Sequence, residues 1–212
     1  MGHQDLLEAV VRDFLMLFVT IDPIGTLSLF VPLTASTPAA DRPRIAVRAV
    51  LSGGAVLIGF LVLGQIVLDG IGVRLVSFQI SGGIILFLLG LQMVFGTGIA
   101  ETSIEAEPGH DVAIFPLGIP SIASPGAIMA VVVLTDNDRF SVVDQMETAV
   151  VLVVVLVITL VMLLLANRIH RLIGDTGAGV LVRVMGMLLA ALAAEEILES
   201  VTSIVLHFPP PT

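Results

Sequence analysis

Long apolar runs alternate with short polar connections along the whole chain. Six runs reach or approach the ~20 apolar residues that a helix needs to cross a bilayer. They cover about 6–34, 45–68, 74–96, 113–135, 143–166 and 180–206. The first and the fourth are interrupted. Asp22 is followed at once by Pro23 and Gly25, and Ser124-Pro125-Gly126 cuts the fourth run in the same way. A capping residue followed by proline is a helix start signal, so each of these two runs predicts a broken helix. Freed backbone at membrane depth is tolerated only where protein or a water-filled cavity satisfies it. Two such breaks at matching places in two halves point to a transporter's substrate site. The fifth run, TAVVLVVVLVITLVMLLLA, is apolar all round and predicts a lipid-facing helix without chemistry.

The runs also repeat. Pro23 and Pro125 are 102 positions apart, and a shift of 103 sets Gly83 on Gly186 and Gln92 on Glu195. Each half then holds a broken helix, a plain helix, and a glycine-containing helix with a late polar residue. The division is 1–98 for the first three-helix repeat, 99–111 for an acidic, turn-rich linker, and 112–212 for the second repeat. Three spans per repeat is an odd number, so the second half enters the membrane upside down. The expected fold class is thus all-α and integral to the membrane: six transmembrane helices as two inverted three-helix repeats, the first and fourth helices broken.

Composition agrees with a lipid environment. The 212 residues are 57% hydrophobic and 13% charged, with a mean hydropathy of +1.10. A soluble domain of this size could not hide so much apolar surface. The net charge of −9 resides mostly in connections and segment ends. No basic patch exists, which disfavours nucleic acid. With no cysteine, thiol chemistry, disulfides and cysteine-ligated metal are excluded. The four histidines lie near termini or in connections, and no metal site is expected. Trp and Tyr are absent, so the usual interfacial aromatic belt is missing. The amino end lacks the basic region of a signal peptide and reads as a retained helix.

Arginine counts give an orientation. Arg42, Arg44, Arg48, Arg168, Arg171 and Arg183 fall on one side of a six-span topology; Arg12, Arg74 and Arg139 fall on the other. The positive-inside rule then places both termini outside the cytoplasm.

Asp22 is the first candidate for chemistry. A carboxylate at bilayer depth costs ~2.5–3.5 kcal/mol on insertion scales, and something must offset it. It caps the half-helix beginning at Pro23, accepting from the Gly25 or Ile24 amide; the sharper reading adds a cation ligand role. Ser124 is its neutral counterpart, capping the half-helix from Pro125 and leaving amides near Gly126 and Ala127 to meet an anion. An acidic pole opposite a positive helix end suits a small zwitterion. Thr26, Ser28 and Ser121 are close enough to contribute hydroxyls, although small hydroxylated residues also let helices approach closely. Gln79, at the opening of the third run, is the best additional contact. Asp22 and Glu195 are the candidate coupling residues, for a proton; sodium held by unwound carbonyls is an equal alternative. Glycine-rich nucleotide loops, zinc-protease motifs and a serine nucleophile beside a base are all absent from the sequence. The expectation is therefore neither an enzyme nor a cofactor protein.

Four ordered motifs also carry a resemblance. Asp22-Pro23-Ile24-Gly25, the run SFQISGGIILFLLGLQM from Ser77 to Met93, PLGIPSIASPGAI from Pro116 to Ile128, and RVMGMLLAALAAEEILES from Arg183 to Ser200 resemble the MarC family over nearly the whole chain. The resemblance implies a six-helix inner-membrane protein related to small neutral amino acid transporters of the SnatA type, with alanine, glycine, serine or threonine as substrates. Thr26 stands where the family usually has asparagine, and Ser124 where it usually has glycine. Taken together, these features predict a secondary transporter of small neutral amino acids in the cytoplasmic membrane, working by alternating access. It would bind substrate through Asp22, Pro23, Gly25, Thr26, Gln79, Ser121, Ser124, Pro125 and Gly126, and homo-oligomers stay open. Two rivals remain: a cation or small-metabolite exporter on the same scaffold, and a non-transporting membrane scaffold whose breaks serve only packing.

Overall fold

In the computed structural model of the chain, residues 3–96 and 111–207 are described; of the expected 99–111 linker, all but Asp111 lies outside them. The described residues are helical and contain no strand. Helix α1 (His3–Ile21) and α2 (Pro23–Leu33) are separated by Asp22 alone. They are followed by α3 (Arg42–Gly70) and α4 (Leu75–Phe95). An irregular, widely wound segment, Ala113–Ile122, leads into α5 (Pro125–Leu134), then α6 (Val142–Leu164) and α7 (Ala166–His207).

Five stretches are long and apolar enough to cross a membrane, with Leu7–Leu33 counted as one across its break. A sixth forms if Ala113–Ile122 and Pro125–Leu134, bent by 52°, count together. Leu51, Val62, Ile66, Val150 and Leu198 are among the many large apolar side chains left on the outer surface, as expected where lipid is the solvent.

Three details differ from the sequence expectation. The first half of the fourth run is not a regular helix. Phe115 (φ −129, ψ 123) and Ile119 (φ −135, ψ 123) are extended. Each precedes a proline, whose ring pushes the residue before it out of the helical region. The last helix starts earlier than the expected 180, because α7 begins at Ala166 and bends at Gly174 (φ 65, ψ 178). That backbone conformation is essentially confined to glycine. The fifth run is not purely lipid-facing either. Thr148, Val151, Leu152, Val155, Thr159 and Leu163 form a buried stripe on α6, which packs against α3, α1 and α2. A helix this apolar carries little hydropathy contrast by which the inward face could be told.

The most intimate seam joins α4 to α7. A Cβ at Gly83 would lie 2.7 Å from Ile197 and 3.2 Å from the Ala193 carbonyl oxygen; one at Gly90 would lie 2.7 Å from the Gly186 carbonyl oxygen. The two helices run antiparallel, since residues rising along α4 meet residues falling along α7. Small residues let membrane helices approach backbone to backbone. Around this seam the packing comes in pairs. α2 packs on α7 as α5 packs on α4, α2 on α6 as α5 on α3, and α1 on α6 as Ala113–Ile122 on α3. Leu17, Ile21, Leu57, Leu117, Ile122 and Leu152 fill the interior where these elements meet.

Five of the arginines make contacts that the helices bring together. Arg12 lies over the Phe140 ring at 5.6 Å, and Arg74 and Arg139 line one pocket. Elsewhere, Arg42 donates to Asn167 Oδ1 at 3.0 Å, and Arg48 pairs with Asp111.

Candidate functional site

The first break is a single residue wide. Asp22 adopts a left-handed conformation (φ 49, ψ 70), a region that Asp and Asn tolerate better than other side chains. Its N–H donates to the Phe18 carbonyl at 3.1 Å, and its own carbonyl accepts from Thr26 N–H at 3.0 Å. The last bond of α1 and the first of α2 therefore share one residue. The carboxylate folds back over the start of α2, where Oδ1 accepts from Gly25 N–H at 3.0 Å. A Cβ at position 25 would overlap that carboxylate, so Gly25 is what lets the cap close.

The second break docks on the first. Ser124 has extended backbone (φ −70, ψ 156), and its Oγ accepts from Ala127 N–H at 3.0 Å. The same hydroxyl donates to the Thr20 carbonyl, also at 3.0 Å, and this bond is buried. One turn away, the Thr26 and Ser121 hydroxyls lie 3.0 Å apart in a hydrogen bond. Eight of the predicted residues thus belong to one neighbourhood: Asp22, Pro23, Gly25, Thr26, Ser121, Ser124, Pro125 and Gly126. Within it Pro23 is buried and Pro125 exposed. Gly126 is pressed beneath α4, and a Cβ there would overlap Leu86. Packing therefore accounts for this glycine, and bulk at position 126 would displace Leu86 first.

Ser124→Ala follows as a test of the docking. It removes a cap worth ~1 kcal/mol and a buried inter-helix hydrogen bond worth ~1 kcal/mol. A loss of roughly 2 kcal/mol is expected in thermal or denaturant unfolding of the purified protein. A variant as stable as the parent would mean that the Thr20 contact contributes nothing.

Gln79 is buried and accepts from Ser200 Oγ at 3.4 Å across the α4–α7 seam. It lines a pocket of about 590 Å³ together with Gln65, Asp69, Arg74, Asp136 and Arg139. None of the break residues lines that pocket, so Gln79 belongs to the polar end of the bundle. No group of three His, Cys, Asp or Glu side chains suited to a metal occurs among the described residues.

A search of family models matches residues 7–205 to the MarC family integral membrane proteins. A UPF0056 membrane protein of Archaeoglobus fulgidus is 34% identical over 192 residues, covering 86% of this chain and 87% of the relative. One from Methanocaldococcus jannaschii is 32% identical over 199 residues, covering 92% and 97%. The chain belongs to the MarC family. Another relative, the UPF0056 inner membrane protein YhgN of Escherichia coli, is 29% identical over 196 residues, covering 92% and 97%. No solved structure matches the chain. This MarC protein is accordingly an integral, multi-pass membrane protein.

The two residues expected to depart from the family pattern, Thr26 and Ser124, are both in use. Thr26 makes the hydroxyl pair with Ser121, and Ser124 both caps α5 and ties it to Thr20. The candidate coupling residues fare differently. Asp22 sits half-buried at the break, whereas Glu195 is exposed on the outer face of α7 and its neighbour Glu196 is turned inward, 8% exposed. Sequence reasoning passed over Asp13, within α1, and Asp136, in the α5–α6 connection, both buried. Asp13 accepts from Thr148 Oγ1 at 2.6 Å and pairs with Arg12 at 3.2 Å. Asp136 accepts from Gln65 Nε2 at 2.6 Å and lies 3.5 Å from Arg139. Their signal was weak, because a polar residue near a run's end needs no explanation until its burial is known.

Proposed function

We propose that this MarC protein is a secondary transporter of small neutral amino acids, of the alanine, glycine, serine and threonine class. It would work by alternating access in the cytoplasmic membrane, with both termini outside the cytoplasm. The observation that carries the reading is the buried bond from Ser124 Oγ to the Thr20 carbonyl. It joins two helix starts of opposite character, one closed by a carboxylate and one by a neutral hydroxyl. Half-helix amino ends present roughly half a positive charge, which suits a substrate carboxylate near Ser124-Pro125-Gly126. Asp22 suits the ammonium. Broken helices meeting inside a bundle are where transporters of this architecture bind substrate.

Two inverted repeats are part of the proposal, and the α4–α7 contacts support them. The shift of 103 sends the pair Gly83–Ala193 onto Gly186–Gly90, and both pairs touch. The paired packing of the remaining elements follows the same exchange.

Flux of labelled amino acids and monovalent cations into proteoliposomes tests the function. Uptake of alanine and its small neutral relatives is expected, with no cation flux in their absence. Alaninamide, which lacks the carboxylate, is expected to compete at least ~10-fold more weakly than alanine, a difference of ~1.4 kcal/mol. Equal competition would sink the carboxylate assignment at the second break and favour a cation exporter. Absence of any flux across the panel would favour a packing scaffold.

A further inference from the structure

Glu196 is the one buried side chain among the described residues with a sealed polar atom and no partner. It is 8% exposed, and its Oε2 has no hydrogen-bond donor. Native proteins keep few such groups, and each calls for an explanation. Two arginines stand within electrostatic range, yet both are engaged elsewhere. Arg12, from α1, pairs with Asp13 at 3.2 Å and covers the Phe140 ring. Arg139, from the α5–α6 connection, holds Asp136 and Glu199 at 3.5 Å each. The charged groups facing Glu196 are therefore Glu199 and Glu195 on its own helix, Arg139 from that connection and Arg12 from α1.

These contacts are also what closes this end of the bundle. Asp13 links α1 to Thr148 on α6. Gln65 links α3 to Asp136. Arg139 links the α5–α6 connection to Glu199 on α7, and together with Asp136 it lines the pocket. An isolated carboxylate in such a place must hold a proton or acquire a cation. The cations acting on it are Arg139, which ties the α5–α6 connection to Glu199, and Arg12, which ties α1 to Phe140.

We propose that Glu196 is a proton-binding site whose occupancy fastens or releases this end of the bundle. With the proton on, Glu196 is neutral, and Arg12 and Arg139 stay with Asp13, Asp136 and Glu199. When the proton leaves to water, the new carboxylate draws an arginine from its present partners. The ties from α1 and from the α5–α6 connection loosen, and the pocket end opens. The ligand is a proton, and the effect is a shift between two arrangements of the same charges. Only the consequence for flux rests on the transport reading above.

The chain has no cysteine, so a cysteine pair introduced at Asp138 and Leu206 can be spin-labelled without background. Both positions are exposed, one on the α5–α6 connection and one near the end of α7. In lipid nanodiscs, raising the pH is expected to shift the inter-label distance to longer values. Glu196→Gln should hold the short distance at every pH, and Glu196→Asp should restore the shift. A pH-independent distance in the parent, a shortening with pH, or an unchanged shift in Glu196→Gln would each overturn the proposal. Glu196→Gln should also remove the pH dependence of alanine flux. Absence of any flux in the parent would defeat the transport reading and leave the distance result to decide the proton site.

Discussion

Asp22→Asn is expected to leave a folded protein in the membrane whose transport is severely impaired. Asparagine tolerates the left-handed backbone at this position, and its amide oxygen can accept from Gly25 N–H as the carboxylate does. What is lost is the negative charge available to a substrate ammonium. Removing one member of a buried charge pair costs ~2–5 kcal/mol, so flux at low substrate should fall by about 30-fold or more. Asp22→Ala makes the contrast. It loses the cap and places a side chain without hydrogen-bonding capacity in a left-handed conformation, so it should lower stability as well as flux. Flux in liposomes, normalised to correctly folded protein by size exclusion, separates the two. Parental flux from Asp22→Asn would reduce this carboxylate to a structural cap.

A loss of stability is also expected at Gly90. In Gly90→Ala the new methyl would lie 2.7 Å from the Gly186 carbonyl oxygen and 2.8 Å from the Ala190 nitrogen. Both obstacles are backbone atoms of α7, so no side-chain rotation relieves them and the helices must part. Overpacking of this kind costs ~1–3 kcal/mol, against a helix-propensity gain of ~1 kcal/mol for replacing glycine by alanine. Gly59→Ala in α3 provides the control, because a Cβ there meets nothing within 4 Å. Gly59→Ala should be neutral or slightly stabilising in a thermal unfolding series, and Gly90→Ala clearly destabilising. Equal melting temperatures for the two would mean that the seam has slack.

The features that the sequence made legible are those with a local cause. Asp22 and Ser124 cap helices through bonds three residues along the chain, and that chemistry is written in Asp-Pro and Ser-Pro-Gly themselves. The spans were legible because lipid demands long apolar runs. The less legible features depend on which way a helix is turned. Glu195 and Glu196 are neighbours about 100° apart on α7, and only packing decides which points inward. α6 is so apolar that only Thr148 and Thr159, eleven residues apart on one face, marked its buried stripe. Gly126 looked like a place for close approach, but the approaching group, Leu86, lies 40 positions away in sequence. The irregular stretch before α5 was signalled by Pro116 and Pro120, whose effect on Phe115 and Ile119 outweighs the apolar pattern.

The α4–α7 seam also has a mechanical side. Where helices touch through backbone and Cβ atoms there are no long side chains to change rotamer, and the contact has a single fit. Such a joint behaves as a rivet: it resists sliding by fractions of a turn and transmits torque. It fastens the last span of the first half to the last span of the second. Two short helices hang on either side of it, α2 on α7 and α5 on α4. Those are the helices whose capped starts face each other across the break.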